Sequence, residues 1–238
     1  MCNRYISPET AEAERFWRIK ESNSRRPLLP PVNVFPRAQA PFIRRARNET
    51  GYERELVIGQ WGLIPWFAKE PKLKFPTNNA RSEELEQKAS YKDPWKRGQR
   101  CIIPAISFDE PNWESGKNQW WQFRRADGTP WGLAGLWSTW TDKTTGEVHE
   151  SYTMLTLNAD DHPLMNRMHK PEIDKDTKLP LPADKQDKRS VIPIEFGDVD
   201  MWLAGTVQEA KTLLRLAPVE EFDAGPAPAS APAVQQSL

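Results

Sequence analysis

The sequence predicts a single α+β domain made mostly of antiparallel sheet, with a β-barrel-like core and peripheral helices. Short strand-like runs outnumber helical patterns, and the two do not alternate regularly, which disfavours a doubly wound parallel sheet. A chain of 238 residues is also long enough to bury a substantial core. These two observations lead to one compact catalytic or binding domain rather than a string of small ones.

The predicted strands are short apolar or alternating runs bounded by turn residues. They lie at residues 40–45, 55–60, 100–108, 119–124, 131–137, 151–157 and 189–194. Ser7 and Pro8 are typical of a helix N-cap and a first-turn proline, so they predict a helix to about Ser22 with Phe16, Trp17 and Ile19 facing inward. Further helical patterns cover residues 81–89, 160–169, 198–204, with Gly205 as a stop, and 207–216.

The main domain is predicted to span residues 1–222. Residues 171–188 are charged and interrupted by proline, which indicates a surface insertion. Residues 223–238 are rich in Ala, Pro, Gln and Ser and lack an apolar period, so they predict a disordered tail.

The bulk composition excludes several classes of protein. Basic and acidic side chains both number 33, so the chain lacks the overall positive field of a strong non-specific DNA binder, and any nucleic-acid contact must be local. Two cysteines suit a reducing cytoplasm. No stretch has the length of a membrane span or of a signal sequence, so we expect a cytoplasmic protein without membrane contact. Eleven tryptophans, several beside cations, could stack on unpaired bases.

Cys2 is the first candidate for chemistry. Removal of Met1 would leave an α-amine with a pKa near 8 next to a thiol. Such an amine forms a Schiff base with a carbonyl, and the thiol can then close a five-membered thiazolidine. Taken alone, position 2 is equally typical of an inert terminus.

Three further candidates lie later in the chain. Asn79 and Arg81 stand in a segment of amides and a guanidinium that could bind an aldehyde and a phosphate, or could simply cap a helix. Glu110 ends an apolar run, where a carboxyl group can act as a general acid or belong to a solvated turn. His169 could shuttle protons, or lie at the surface. His162 and His169 are seven residues apart and no metal-binding motif occurs, so no metal or cofactor is expected.

Together the motifs resemble the SRAP family, the SOS-response-associated peptidases or abasic-site processing proteins. The resemblance rests on the order of motifs, which are Met1-Cys2-x-Arg4-Tyr5, Trp61-Gly62-Leu63-Ile64-Pro65, Asn79-Ala80-Arg81-x-Glu83, Arg100-Cys101-Ile102-Ile103-Pro104-Ala105, Phe108-x-Glu110, and Pro163-Leu164-Met165 before His169. It runs from Cys2 to about Gly205. Departures are Asn3 where the family usually has Gly, Pro111 after the glutamate, and the insertion at 171–188.

The resemblance implies a specific reaction. After removal of Met1, Cys2 would form a covalent thiazolidine DNA–protein crosslink with the ring-opened sugar of an abasic site in single-stranded DNA. Asn79 would orient the aldehyde, Glu110 would act as the acid–base group, and His169 would assist ring opening and imine formation. Arg4 and Arg81 would hold phosphates, and Trp66 and Phe67 would form an aromatic wedge against continuous duplex.

The same resemblance implies an SRAP-type enzyme, with the peptidase activity of the family name and a lyase- or hydrolase-like crosslinking reaction. Its partners would be abasic single strands and single-strand/duplex junctions, and it would act as a monomer in the cytoplasm, associated with the nucleoid during DNA damage and the SOS response. Three alternatives stay open. An N-terminal-Cys amidohydrolase is disfavoured because the chain has no Asn-Gly. A peptidase acting on its own Met1 would share the site, and a phage-type DNA-binding module would do no chemistry.

Overall fold

The computed structural model describes residues 2–20, 29–47 and 52–228. Its twelve strands are β1 (Arg4–Ser7), β2 (Val32–Val34), β3 (Gln39–Arg45), β4 (Arg54–Trp61), β5 (Asn79–Arg81), β6 (Arg100–Ala105), β7 (Ser107–Asn112), β8 (Gln119–Arg125), β9 (Trp131–Thr141), β10 (Val148–Asn158), β11 (Arg189–Val191) and β12 (Phe222–Pro226). Its four α-helices are α1 (Thr10–Phe16), α2 (Ala89–Lys96), α3 (Val199–Ala204) and α4 (Val207–Thr212).

A closed barrel forms the centre of the fold. Strands β10, β4, β3, β6 and β9 pair in that order, and β9 pairs again with β10, so the sheet returns on itself. All of these pairings are antiparallel except that of β10 with β4. The predicted α+β fold with a barrel-like core and peripheral helices is therefore confirmed.

A second, antiparallel sheet carries the start of the chain. Its order is β12-β8-β7-β1-β2, with Arg4 of β1 opposite Asp109 of β7. The apolar run at 100–108 was predicted as one strand, but it divides at Ile106. Its first part, β6, belongs to the barrel, and β7 belongs to the second sheet. Glu110 thus lies inside a strand beside the N-terminal segment, rather than in a turn.

Side chains that alternate between the two faces of the barrel strands contribute to two separate hydrophobic cores. Ile43 and Ile102 point to the side covered by the helices, where they pack with Trp17 and Trp202. The neighbouring side chains belong to a second cluster shared with the other sheet, and this cluster contains Cys2, Tyr5, Phe42, Cys101 and Tyr152. Cys2 is therefore part of the packed structure and not a frayed end.

Two predicted helices are wrong. Residues 81–89 form the end of β5 and a short 3-10 turn (Ser82–Glu84), and the helix α2 starts only at Ala89. Residues 160–169 contain only a 3-10 turn (Met165–Arg167). Pairing of β5 with β10 takes the first segment away from helical geometry, and buried hydrogen bonds to the His162 ring shape the second. The helices at 198–204 and 207–216 are present as α3 and α4, and the chain turns at Gly205 as expected.

The tail was predicted to begin too early. Residues 222–226 form β12, which pairs along its length with β8, because backbone hydrogen bonding needs no apolar period. The predicted disorder of 229–238 lies outside the described residues. The first predicted helix is wrong at both ends, because Ser7 belongs to β1 and α1 runs only from Thr10 to Phe16. No helix in the described ranges is both long and apolar enough to span a bilayer.

Candidate functional site

Cys2 is completely buried and lies two residues before β1. The antiparallel pairing of Arg4 with Asp109 brings the start of the chain to the strand that carries Glu110, and the Cys2 thiol lies close enough to interact with the charge of the Glu110 carboxylate. Its Sγ donates a hydrogen bond to the carbonyl oxygen of Arg4 at 3.3 Å. Burial raises the pKa of the Cys2 thiol well above its ordinary value, and the negative charge of Glu110 raises it further. The resting thiol is therefore protonated at neutral pH.

Asn79 binds the backbone of Cys2 directly. The side chain extends from β5, which parallel pairing with β10 holds opposite Met154. Its Nδ2 donates to the carbonyl oxygen of Cys2 at 2.6 Å. Its Oδ1 is buried and accepts no hydrogen bond from the residues that the structure describes. An acceptor is thus available beside the nucleophile's backbone.

Glu110 and His169 form a buried ion pair or hydrogen bond. Nε2 of His169 lies 2.8 Å from Oε2 of Glu110, whose side chain is 1% exposed. Burial alone would raise the pKa of Glu110, but the positive charges of the amino terminus and of His169 outweigh it and bring this pKa below its ordinary value. The carboxylate is therefore ionised at neutral pH and can accept a proton.

Arg4 is held by the protein itself. Its guanidinium donates to Oδ1 of Asn33 at 3.0 and 3.2 Å and lies 3.1 Å from the carboxylate of Asp109. Burial raises the pKa of Asp109, although the charge of Arg4 opposes this. A phosphate would have to share the guanidinium with these two partners. Arg4 therefore lies near Cys2, as predicted, but its guanidinium is already bound by Asn33 and Asp109.

Arg81, Trp66 and Phe67 lie at the surface. Arg81 forms ion pairs with Asp187 and, at 3.9 Å, with Glu84. Trp66 is 69% exposed and Phe67 is 40% exposed, and their rings meet edge to face at 5.7 Å. Both aromatics belong to the long loop between β4 and β5, which ends at the site because β5 begins with Asn79. A planar base could therefore stack on them from solvent.

Comparison with known proteins settles the family. A sequence model of the family "SOS response associated peptidase (SRAP)" matches residues 1–230. This chain belongs to the SRAP family.

Individual relatives agree with this assignment. The abasic site processing protein HMCES of Xenopus tropicalis is 29% identical over 64% of this chain and 51% of its own length. The abasic site processing protein YoqW of Bacillus subtilis is 33% identical over 46% of this chain and 48% of its own length. The chain thus spans about half the length of the curated relatives it matches. A solved structure from Bordetella bronchiseptica shares 33% identity and a TM-score of 0.78, covering 96% of this chain and 100% of that one.

Two contributors to this SRAP site received no role from the sequence. Asn78, the other amide of the candidate segment, donates to Oδ1 of Asn3 at 3.2 Å and to the carbonyl oxygen of Cys2 at 3.5 Å. Lys188, at the end of the insertion, contacts the backbone of His169. No local pattern distinguishes this lysine from its solvated neighbours, so only the structure could reveal it.

In the described part of the chain, no group of three or more His, Cys, Asp or Glu side chains is arranged so that it could hold a metal ion. The groups that do converge are a thiol, an amide, a carboxylate and an imidazole. They come from the residues just before β1, from β5, from β7 and from the segment after the 3-10 turn at Met165–Arg167. This set suits nucleophilic attack on a carbonyl with acid–base assistance.

Proposed function

We propose that this protein forms a covalent thiazolidine crosslink with abasic sites in single-stranded DNA, through Cys2 after removal of Met1. The observation that carries the proposal is the convergence of the buried Cys2 thiol with Asn79 and the Glu110–His169 pair. The relatives named abasic site processing proteins supply the substrate class. The SRAP family name suggests a peptidase, and we interpret that activity as removal of Met1, which matures the nucleophile.

The reaction begins with the abasic sugar, which exists mainly as a closed hemiacetal. Opening needs a base to take the proton of the anomeric hydroxyl and an acid to protonate the ring oxygen. Glu110 is ionised and can take a proton, while His169 can deliver one from 2.8 Å away. The open form then presents an aldehyde carbon to the α-amine of Cys2.

Attack of the amine forms a carbon–nitrogen bond and leaves a carbinolamine. Protonation of its hydroxyl releases one water and gives an imine. The sulfur of Cys2 then adds to the imine carbon, and the thiol proton ends on the nitrogen, which closes the thiazolidine. Because burial and Glu110 keep the thiol protonated, this last step also needs a nearby acceptor for the proton in transit. The Glu110–His169 pair can fill that role.

Asn79 is proposed to fix the geometry of attack. Its Nδ2 holds the Cys2 carbonyl at 2.6 Å, and its Oδ1 can accept a hydrogen bond from the amine or from a hydroxyl of the sugar. Positioning of this kind lowers the entropic cost of bringing amine and aldehyde together.

DNA binding is proposed to be local because the chain carries no net charge. Arg4 and Arg81 would contact the phosphates beside the lesion by exchanging part of their present carboxylate pairing. Trp66 and Phe67 would stack on a base and interrupt a continuous duplex. Single strands and single-strand/duplex junctions are therefore the proposed substrates of a monomeric protein that acts in the cytoplasm, at the nucleoid during DNA damage.

The test is denaturing electrophoresis after incubation of untagged protein with an abasic oligonucleotide. We expect a heat-stable adduct on single strands and junctions, and much less inside continuous duplex. Equal yields on all three would contradict the wedge. Intact mass of the protein should be one methionine lower than encoded, and an adduct formed by protein that fully retains Met1 would refute the thiazolidine. A DNA-binding module without chemistry would bind the oligonucleotide and yield no adduct.

A further inference from the structure

Lys188 is a buried lysine at the end of the insertion. The residue is 6% exposed. Its Nζ donates to the carbonyl oxygen of Met168 at 2.8 Å and to that of His169 at 2.9 Å. Burial lowers the pKa of this amine. A lysine that gives up hydration to bind two consecutive carbonyls is unusual on a charged surface segment.

The backbone that Lys188 binds is strained. His169 has a φ of 65°, in the left-handed region that non-glycine residues seldom adopt. Such a conformation is unfavourable for a residue with a side chain and persists only where the surroundings enforce it. The amide of His169 donates to the carbonyl of Pro111 at 2.6 Å, which ties one side of the residue to the strand of Glu110. Lys188 holds the other side through the carbonyl.

Lys188 is itself anchored on a rigid support. Its amide donates to Oδ1 of Asp160 at 2.6 Å, and its carbonyl accepts from the amide of Ala159 at 2.7 Å. The insertion before it is closed by Gln186, whose Oε1 accepts from the amide of Glu172 at 2.8 Å. The ends of the insertion are thus tied together, and the position of the Lys188 amine is set by the turn after β10.

We infer that Lys188 is a positioning residue, which holds the strained backbone of His169 so that its imidazole meets Glu110, and that the insertion serves to bring this lysine to the site. The inference rests on the proposed crosslinking function. Lys188 acts only through His169 and has no contact with the nucleophile in this role. Without the hydrogen bonds from Lys188, the His169 imidazole would no longer be held against the Glu110 carboxylate. Misplacement of a reacting group by about 1 Å can lower the rate by up to 10²-fold.

The experiment is single-turnover crosslinking to an abasic single strand by Lys188→Met. We expect the maximal rate to fall roughly 10- to 100-fold, with the half-saturating DNA concentration unchanged. Lys188→Arg, which keeps a long donor, should recover most of the rate. Lys185→Met removes an exposed lysine from the same insertion and should react at the parental rate.

The decisive arm combines the change with His169→Ala. Because Lys188 acts through His169, Lys188→Met should slow crosslinking no further in that background, whereas general destabilisation would slow both backgrounds equally. Equal effects in the two backgrounds would overturn the inference. So would a parental rate in Lys188→Met.

Folding and function are tested separately. If Lys188→Met does not fold by thermal melting, Lys188→Gln, whose shorter side chain keeps donors but falls short of the carbonyls, takes its place with the same expectations. If the parental protein forms no adduct at all, the proposed function fails. If it forms the adduct and the lysine variants match it, only the role of Lys188 fails.

Discussion

The two cysteines occupy pockets that share a core and differ in their polar neighbours. Both side chains are completely buried in the same apolar cluster, and burial raises the pKa of both thiols well above the ordinary value. Cys101 lies on β6 opposite Gly135, where even an added Cβ would come within 2.8 Å of its sulfur. Cys2 has the Asn79 amide and the Glu110 carboxylate beside it. Burial and a raised pKa therefore do not identify a nucleophile, whereas its neighbours do.

The largest expected effect compares loss of each sulfur. Cys2→Ser keeps an amino terminus but cannot close the ring, so it should yield only an imine that borohydride traps and heating destroys. Cys101→Ala should crosslink at the parental rate and lose about 1 kcal/mol of stability from the small cavity. Electrophoresis with and without borohydride, together with denaturant melts, measures both. A heat-stable adduct from Cys2→Ser would show that the Cys2 sulfur is not needed for the crosslink, so that Cys2 would be no more reactive than Cys101.

The acid–base neighbours of Cys2 should give the next largest effects. Glu110→Gln and His169→Ala remove the pair that moves protons, so each should slow adduct formation by roughly 10²–10⁴-fold. Non-covalent affinity, measured with an oligonucleotide containing a reduced abasic site, should change little. Glu114→Gln, at an exposed carboxylate, is the matched control. If both Glu110→Gln and His169→Ala crosslink at the parental rate, the site is assigned wrongly even if Cys2 is the nucleophile.

Asn79→Ala should have a smaller effect on the same rate. The variant removes the hydrogen bond to the Cys2 carbonyl, but water can replace part of the orientation that one amide supplies. We expect slowing of about tenfold or less, in line with one neutral hydrogen bond. Single-turnover rates of Asn79→Ala and Glu110→Gln, measured together, check that Asn79→Ala is slowed less. Slowing greater than in Glu110→Gln would indicate that Asn79 takes a direct part in the chemistry.

The smallest expected effect is a shift in the pH profile of crosslinking. The pKa of Glu110 is lowered, so its carboxylate stays ionised at pH 5 and the loss of rate on acidification follows protonation of the amine. A nearby carboxylate favours the ammonium form, which raises the pKa of the amine. Glu110→Gln should therefore move the midpoint to lower pH while reducing the maximum. Rates from pH 5 to pH 9 test this. A shift of the midpoint to higher pH would contradict an interaction between the Glu110 carboxylate and the amino terminus.

The local patterns predicted most of the sheet correctly. Runs such as 131–137 and 151–157 lie within β9 and β10. Both strands are buried on both faces over most of these runs, so the half-buried strand expected at 151–157 is instead a fully buried one. The interpretation of Cys101 as a core residue is confirmed, because its side chain is completely buried within an apolar cluster. The helix predicted from Arg81 failed where the tertiary structure competed, because Arg81 is the last residue of a strand that pairs with β10.

For the candidate site as well, the sequence predicted the residue types and the structure supplied their arrangement. The order of motifs was sufficient to propose Cys2, Asn79, Glu110 and His169 as site residues, because the chemistry of each side chain can be recognised without knowing where it lies. Their convergence depends on long-range pairing, above all that of β1 with β7, which no local pattern specifies.

The sequence by itself determined the strand-rich class and the neutral net charge, and it predicted the kind of chemistry and the local character of the proposed DNA contact. Only the tertiary structure decided the partners of these groups: that Arg4 is shared with Asn33 and Asp109, and that residues 222–226 complete a sheet. It also decided that Lys188, one charge among many in the insertion, is buried against His169. The physical reason is that hydrogen bonds and ion pairs form between residues far apart in the chain. Their energies depend on burial and distance, which exist only once the chain has folded.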